Sequence, residues 1–222
     1  MTTIAHIYNA YTSKFGVPRQ SGLVDGMLSR IVLEPGYRRQ EALRGLDTFS
    51  HIWLLWTFDV RGKGLTVRPP LLGGNRRMGV FATRSPFRPN NIGLSSVRLD
   101  RIDRDTPDGP VLYVYGADLV NGTAIIDIKP YLPFTDNHAD ATGGWTDTLS
   151  VPPLPVILTD HTRTTYPNLT PHDWELITQM LQNDPRPHYQ DDPRRTYRLD
   201  YARHTINFTV RDGKAIVEKK QT

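Results

Sequence analysis

Between turn signals at Gly45 and Gly62 lies a run of eight residues, His51 to Phe58 (HIWLLWTF), in which aliphatic and aromatic side chains follow one another almost without interruption. A run of that length and composition fits a buried strand better than a helix. The rest of the chain has to be built around that strand, and 18 prolines and 17 glycines among 222 residues cut it into short elements. Sheet-rich architecture follows, not a helical bundle.

The neighbouring segments repeat the pattern at shorter length. Thr3 to Tyr8 and Leu28 to Leu33 read as strands, and Ala124 to Ile128 adds another. Leu94 to Ile102 (LSSVRLDRI) and Pro110 to Tyr115 (PVLYVY) alternate polar and apolar residues on either side of a TPDG turn, the pattern of an antiparallel hairpin. Residues 14–22, 61–78 and 135–155 are rich in turn formers and read as loops, the second being long enough to carry function. Tyr37 to Arg44 suits a short helix stopped by Gly45. Pro171 to Gln182 has the stronger helix signals: Thr170 as N-cap, proline in the first turn, Asp173 and Glu175 at the positive end, and Trp174, Ile177 and Leu181 on one face. Beyond it, Thr196 to Leu199, Thr205 to Val210 and Ala215 to Val217 read as strands. The expected fold class is mainly β with an α+β appendage, divided in the 135–155 loop into residues 1–150 and 151–222.

Several chemistries are excluded by what the chain lacks. With no cysteine it has no disulfide, thiolate nucleophile or thiolate-bound zinc, and GxGxxG, P-loop, HExxH and GxSxG motifs are missing. The histidine pairs His6/His51 and His172/His188 lack metal-ligand spacing, so no metal is expected. No apolar run approaches the roughly 18 residues that cross a bilayer, and the N-terminus lacks the layout of a signal peptide, which points to a cytoplasmic protein with no membrane partner. A net charge of +4 and a pI of about 9.4 permit a polyanionic partner, and the arginines are grouped: Arg68, Arg76, Arg77, Arg84 and Arg88 in one segment, Arg186, Arg194, Arg195 and Arg198 in another. Asp118 and Asp127 flank DLVNGTAIID and read, respectively, as the start of a turn and the end of a strand.

Four segments together resemble the TrmO/YaeB (TsaA-like) family: FGVPRQSGLV at 15–24, GLDTFSHIWLLWTF at 45–58, RMGVFATRSPFRPNNIGLSSV at 77–97 and DLVNGTAIIDIKPYLPF at 118–134. DPRPHYQ at 184–190 and the TYRLDY strand after it are similar to the family's second domain. The resemblance implies a small, non-Rossmann β-barrel cofactor domain, which would account for the missing GxGxxG. It implies S-adenosylmethionine as cofactor, tRNA as partner, a homodimer, and methylation of N6 in N6-threonylcarbamoyladenosine at position 37 of a tRNA, threonine tRNA being the usual one.

By motif position the resemblance makes Ser21, Gly22, Leu23, Phe58, Asp59, Val60, Arg84, Leu94, Asn121, Gly122, Thr123 and Ala124 the cofactor-binding set, through backbone groups and apolar side chains. Methyl transfer aligns a nucleophilic nitrogen with the methyl and needs no covalent intermediate, but a urea-like nitrogen is a poor nucleophile while protonated. Asp127, Lys129 and Tyr131 of DIKPY are the candidates for positioning and proton handling, with Lys129 set against the threonyl carboxylate. Arg76, Arg77, Arg88, Arg186, Arg194 and Arg195 are the candidates for holding RNA. The chain departs from the family's usual residues at Ser21, Asp59, Val60, Asn91 and Asn121, and the alternative is an adaptor or sensor that binds cofactor or RNA without catalysis.

Overall fold

In the computed structural model, which describes residues 1–60, 62, 64–72, 76–186 and 192–218, period-two alternation decides the architecture of the first half. Its strands are β1 (Ala5–Tyr8), β2 (Leu28–Leu33), β3 (His51–Thr57), a short ribbon of β4 (Thr66–Val67) and β5 (Met78–Gly79), then β6 (Ile92–Asp103), β7 (Val111–Tyr115) and β8 (Ala124–Pro130). Six of them close into an antiparallel barrel in the order β1-β2-β7-β6-β3-β8. Closure leaves no sheet edge unpaired, and every second side chain points inward. Ile7, Ile31, Ile52, Leu54, Val97, Leu112, Val114 and Ile125 fill the interior.

The run at 51–58 thus forms the strand expected, between β6 and β8, although only Ile52, Leu54 and Trp56 of β3 face the core. The helix expected at Tyr37 to Arg44 is absent. Two single turns of 3₁₀ helix, Pro35–Tyr37 and Gln40–Leu43, stand there, and Gly45 at φ 82 begins a third at Leu46–Thr48. Only Leu43 in this stretch is buried, so no apolar stripe sustains an α-helix. The TPDG hairpin forms, with the Gly109 N–H donating to the Thr106 carbonyl at 2.9 Å. The 135–155 loop is not featureless: it follows α1 (Pro133–Asp136), makes a 3₁₀ turn at Gly144–Thr148, and returns to the barrel through the Trp145 indole N–H, which donates to the Ala82 carbonyl at 2.8 Å.

The C-terminal part holds β9 (Val156–Ile157), α2 (Asp160–Thr165), α3 (Pro171–Gln182), β10 (Tyr197–Tyr201), β11 (His204–Arg211) and β12 (Lys214–Val217). Its sheet runs β10-β11-β12-β9, with β9 parallel to β12. Thr170 and Asp173 cap α3 reciprocally, and Trp174, Ile177 and Leu181 are buried with Leu176 and Met180. This second core is not contiguous in sequence. Tyr11, Val24 and Met27, with Phe15 and Val17 beside them, leave the barrel after β1 and pack among the C-terminal side chains. Gly16 makes this possible: its φ of +96 suits glycine, and Leu199 and Met180 occupy the space a side chain would need. Among the described residues no helix is long and apolar enough to cross a membrane.

Candidate active site

Antiparallel closure sends alternate connections to one end of the barrel. The end of β1, the approach to β2, the end of β3, the approach to β6, the end of β7 and the approach to β8 meet there, as the registers Tyr8–Arg30, Leu28–Tyr115, Trp56–Gly93 and Trp56–Ile125 require. Ser21 to Leu23, Phe58 to Val60, Leu94 and Asn121 to Ala124, four stretches far apart in sequence, are therefore brought to one end. Arg84 joins them by donating from Nη1 to Gln20 Oε1.

Asp118, three residues past the end of β7, lies at this end. Ser95 donates its hydroxyl to Asp118 Oδ1, and the Trp56 indole N–H donates in turn to Ser95 Oγ at 2.9 Å. Burial pushes the Asp118 carboxyl above the ordinary carboxylate range, against the pull of the Ser95 hydrogen bond, the Arg84 charge and the Ser21 N–H. Two close approaches hold the arrangement. The Gly22 N–H donates to the Gly116 carbonyl at 2.9 Å, with Gly116 at φ +80, and the Trp56 indole lies where a side chain on Gly93 would stand. The Tyr11 hydroxyl is buried without a hydrogen-bond partner among the described residues; burial raises its pKa well above normal, and Asp118 and Tyr201 raise it further.

Most backbone N–H groups of the expected cofactor set are already committed within the fold. Phe58 donates to Asn91, Asn121 to Tyr11, Gly122 to Ile7 and Thr123 to Val120, while the Asn121 side chain accepts from the Asn9 N–H at 3.0 Å. These positions can meet a ligand only through carbonyls and side chains, which narrows the expectation. The apolar side chains are available: Leu23 and Leu94 are each 48% exposed and Ile92 37%, and Phe58 packs on Trp56 with centroids 4.1 Å apart. A partly buried carboxylate at the same end of the barrel as exposed apolar side chains fits a small cation with a flat apolar moiety, the chemistry of S-adenosylmethionine.

Asp127, Lys129 and Tyr131 lie elsewhere. They follow one another along the outer wall of β8 opposite Leu55, Trp53 and His51, leading away from the Asp118 end. Lys129 pairs with Asp127 at 2.8 Å, and the Tyr131 ring packs near Trp53 at 5.5 Å and His51 at 6.2 Å. The arginines divide as well. Arg77 pins the β4–β5 ribbon through Thr66, Arg88 donates to the Thr83 carbonyl at 2.9 Å, and Arg186 grips Asp184 with two hydrogen bonds of 2.8 and 2.9 Å while only 12% of its side chain is exposed. Arg76, Arg77, Arg84, Arg194 and Arg195 are exposed. Residues 187–190 of the DPRPHYQ segment lie outside the described residues.

Sequence reasoning missed Asp118, Ser95 and Trp56 as site residues. The signal was present: Ser95 occupies an inward position in the alternation of LSSVRL, and a buried hydroxyl there demands a polar partner.

Comparison with known proteins covers both halves. Residues 6–137 match the model of the tRNA-methyltransferase O N-terminal domain, and residues 152–221 that of the TrmO C-terminal domain. A tRNA (adenine(37)-N6)-methyltransferase from Eikenella corrodens is 46% identical over 174 residues, 77% of this chain and 96% of that protein. The protein of the same description from Escherichia coli (strain K12) is 39% identical over 222 residues, 95% of this chain and 92% of that protein. A crystal structure of TrmO from Pseudomonas aeruginosa superposes with a TM-score of 0.72 at 31% identity, covering 99% of this chain and 98% of that one.

Proposed function

The chain belongs to the tRNA-methyltransferase O family, and from that membership we propose that it works as an S-adenosylmethionine-dependent tRNA methyltransferase on N6 of adenine 37, taking N6-threonylcarbamoyladenosine as its nucleoside. The observation that favours a cofactor site over an adaptor for RNA alone is the Asp118 carboxylate, kept partly buried at the loop end of the barrel. A binding module for RNA alone would have no use for a desolvated anion there. Catalysis over a cofactor sensor is supported by relatives described as tRNA (adenine(37)-N6)-methyltransferases that match 77% and 95% of this chain.

Asp118 would balance the positive charge of the cofactor, Leu23 and Leu94 would flank its adenine, and carbonyls of the 21–23 and 121–123 turns would accept from its hydroxyl and amino groups. Bound S-adenosylmethionine supplies the methyl group. Arg84, tethered through Gln20 at the rim, would meet the incoming nucleotide's charge. As the nitrogen–carbon bond forms and the carbon–sulfur bond breaks, the N6 proton must leave, and the carbamoyl group must be held. Asp127, Lys129 and Tyr131 suit those tasks chemically, yet they lie on the outer wall of the same barrel. They would serve the loop end of a second copy, which is why we assign the protein as a homodimer. The cytoplasm, where its tRNA substrate resides, is its place of work. Of the exposed arginines, Arg76, Arg194 and Arg195, which pin no neighbouring backbone among the described residues, would hold the RNA backbone.

Nucleoside mass spectrometry of tRNA from a deletion strain, with and without the gene restored, tests this reading. The methylated nucleoside should vanish and return. An unchanged nucleoside profile, with cofactor binding retained in calorimetry, would leave the adaptor reading instead.

A further inference from the structure

The outer wall of the barrel opposite β8 carries an ordered mixture of tyrosine and arginine. Tyr8, Arg30, Tyr113 and Arg101 stand in register across β1, β2, β7 and β6, and Tyr115 and Arg98 pair in the next row. The guanidinium of Arg101 lies 3.7 Å from the centre of the Tyr113 ring, that of Arg98 4.5 Å from Tyr115, and that of Arg30 6.0 Å from Tyr8. A bulge creates the pattern. Arg98 and Arg101 are three apart and would face opposite sides of a regular strand, but the register shifts between Leu99 and Arg101, leaving both outside.

We propose that this tyrosine–arginine ladder is a binding surface for unpaired nucleotides of the RNA substrate. A guanidinium stacked on a phenol ring keeps N–H groups in its plane for a phosphate, and its outer face takes a base, as does the uncovered part of each ring. The partner is anionic: among the described residues Arg30 and Arg98 have no carboxylate within ion-pair distance, and Arg101 has Asp100, at 2.6 Å. A second copy docking through the same patch about a two-fold axis would set arginine against arginine. The ladder also leads to the site, since Tyr115 is followed directly by Gly116, which binds Gly22, and then by Asp118. A strand held on the ladder enters the mouth where methyl transfer occurs. The proposal rests on RNA being the substrate.

The test compares wild-type protein with two triple variants, Arg30→Ala/Arg98→Ala/Arg101→Ala and the same three positions changed to Lys, using tRNA from a strain lacking the protein. The alanine variant should bind this tRNA about ten- to a hundredfold more weakly, with a salt dependence flatter by about three contacts. Its S-adenosylmethionine affinity and solution mass should match wild type. The lysine variant, which keeps charge without a stacking plane and also controls for folding, should recover the salt slope but only part of the affinity. Unchanged tRNA affinity in the alanine variant, while wild type binds and methylates, would overturn the ladder alone. A halved solution mass with tRNA affinity intact would assign the face to a second copy. Failure of the wild-type protein to bind tRNA would overturn the functional reading, and the ladder with it.

Discussion

The loop end of the barrel and the C-terminal lobe are built to opposite ends. At the loop end Leu23 and Leu94 are half exposed and Asp118 is desolvated. The lobe shields its charged groups from that exposure: Thr170 and Asp173 cap α3, Tyr201 donates to Asp173 at 2.6 Å, Arg186 grips Asp184, and Phe15, Tyr197 and Phe208 pack with centroids 5.4 to 6.3 Å apart. Gln179, Tyr197, Asn207 and Thr209 nonetheless each bury a polar atom without a partner among the described residues. The two regions are not independent, because the segment from Tyr11 to Met27, which carries Ser21 to Leu23, is anchored in the lobe's core. The lobe supplies stability that the loop end gives up, and it holds one wall of the site in place.

Asp118→Asn tests that division most sharply. Asparagine keeps an acceptor for Ser95 but removes the charge, and hydrogen bonds to charged groups contribute about 1.5–3 kcal/mol, so cofactor affinity and turnover should fall up to about a hundredfold. Stability should move the other way. The folded-state pKa of Asp118 is raised, so its contribution to stability is fully present below the ordinary carboxylate pKa and is lost as pH rises through the folded value. The variant escapes that loss. Thermal melts should show it more stable than wild type at neutral pH, the gap closing as the solution is acidified; a lower melting temperature at neutral pH would make Asp118 a structural group like those of the lobe.

Gly16→Ala probes the anchor. Alanine at φ +96 is strained, and its methyl would press on buried Leu199, so a loss of about 2 kcal/mol is expected together with weaker cofactor binding. Gly22→Ala shares the positive φ but meets nothing within 4 Å, and should cost about half as much in denaturant unfolding. Equal losses at the two positions would show that the lobe does not hold the 11–27 segment.

How much of this was legible in the sequence depended on whether a feature is local. β3, the β6–β7 hairpin and α3 carry their own signals, in the apolar run at 51–58, the TPDG turn and the Thr170 cap, and all three form where expected. Tyr37 to Arg44 has good helix formers but no stripe to bury, and tertiary context made it 3₁₀ turns. Closure of the barrel, capture of Tyr11 to Met27 by the lobe, the bulge that aligns Arg98 with Arg101, and the convergence of Trp56, Ser95 and Asp118 are long-range facts with no local spacing to reveal them. The candidate loops could accordingly be named from the sequence, whereas the cluster of Trp56, Ser95 and Asp118 between them could not.

The smallest effect expected lies within the lobe. Burial alone would raise the Asp173 carboxyl, but hydrogen bonds from the Thr170 hydroxyl and N–H and from Tyr201 outweigh it, and the folded-state pKa ends below the ordinary value. A group of that kind stabilises above its unfolded pKa and loses the contribution as pH falls through the folded one. Asp173→Ala removes one half of a capping box on a largely exposed helix end, so it should cost about 1 kcal/mol at neutral pH and progressively less below about pH 4. Because Tyr201 and Tyr11 share the lobe's core with the anchored segment, cofactor affinity should weaken only as far as the lobe loosens. Urea unfolding and calorimetry on the same samples decide it: a cofactor affinity that collapses while stability falls by only this amount would mean that Asp173 reaches the site directly, and that the lobe takes part in binding as well as in support.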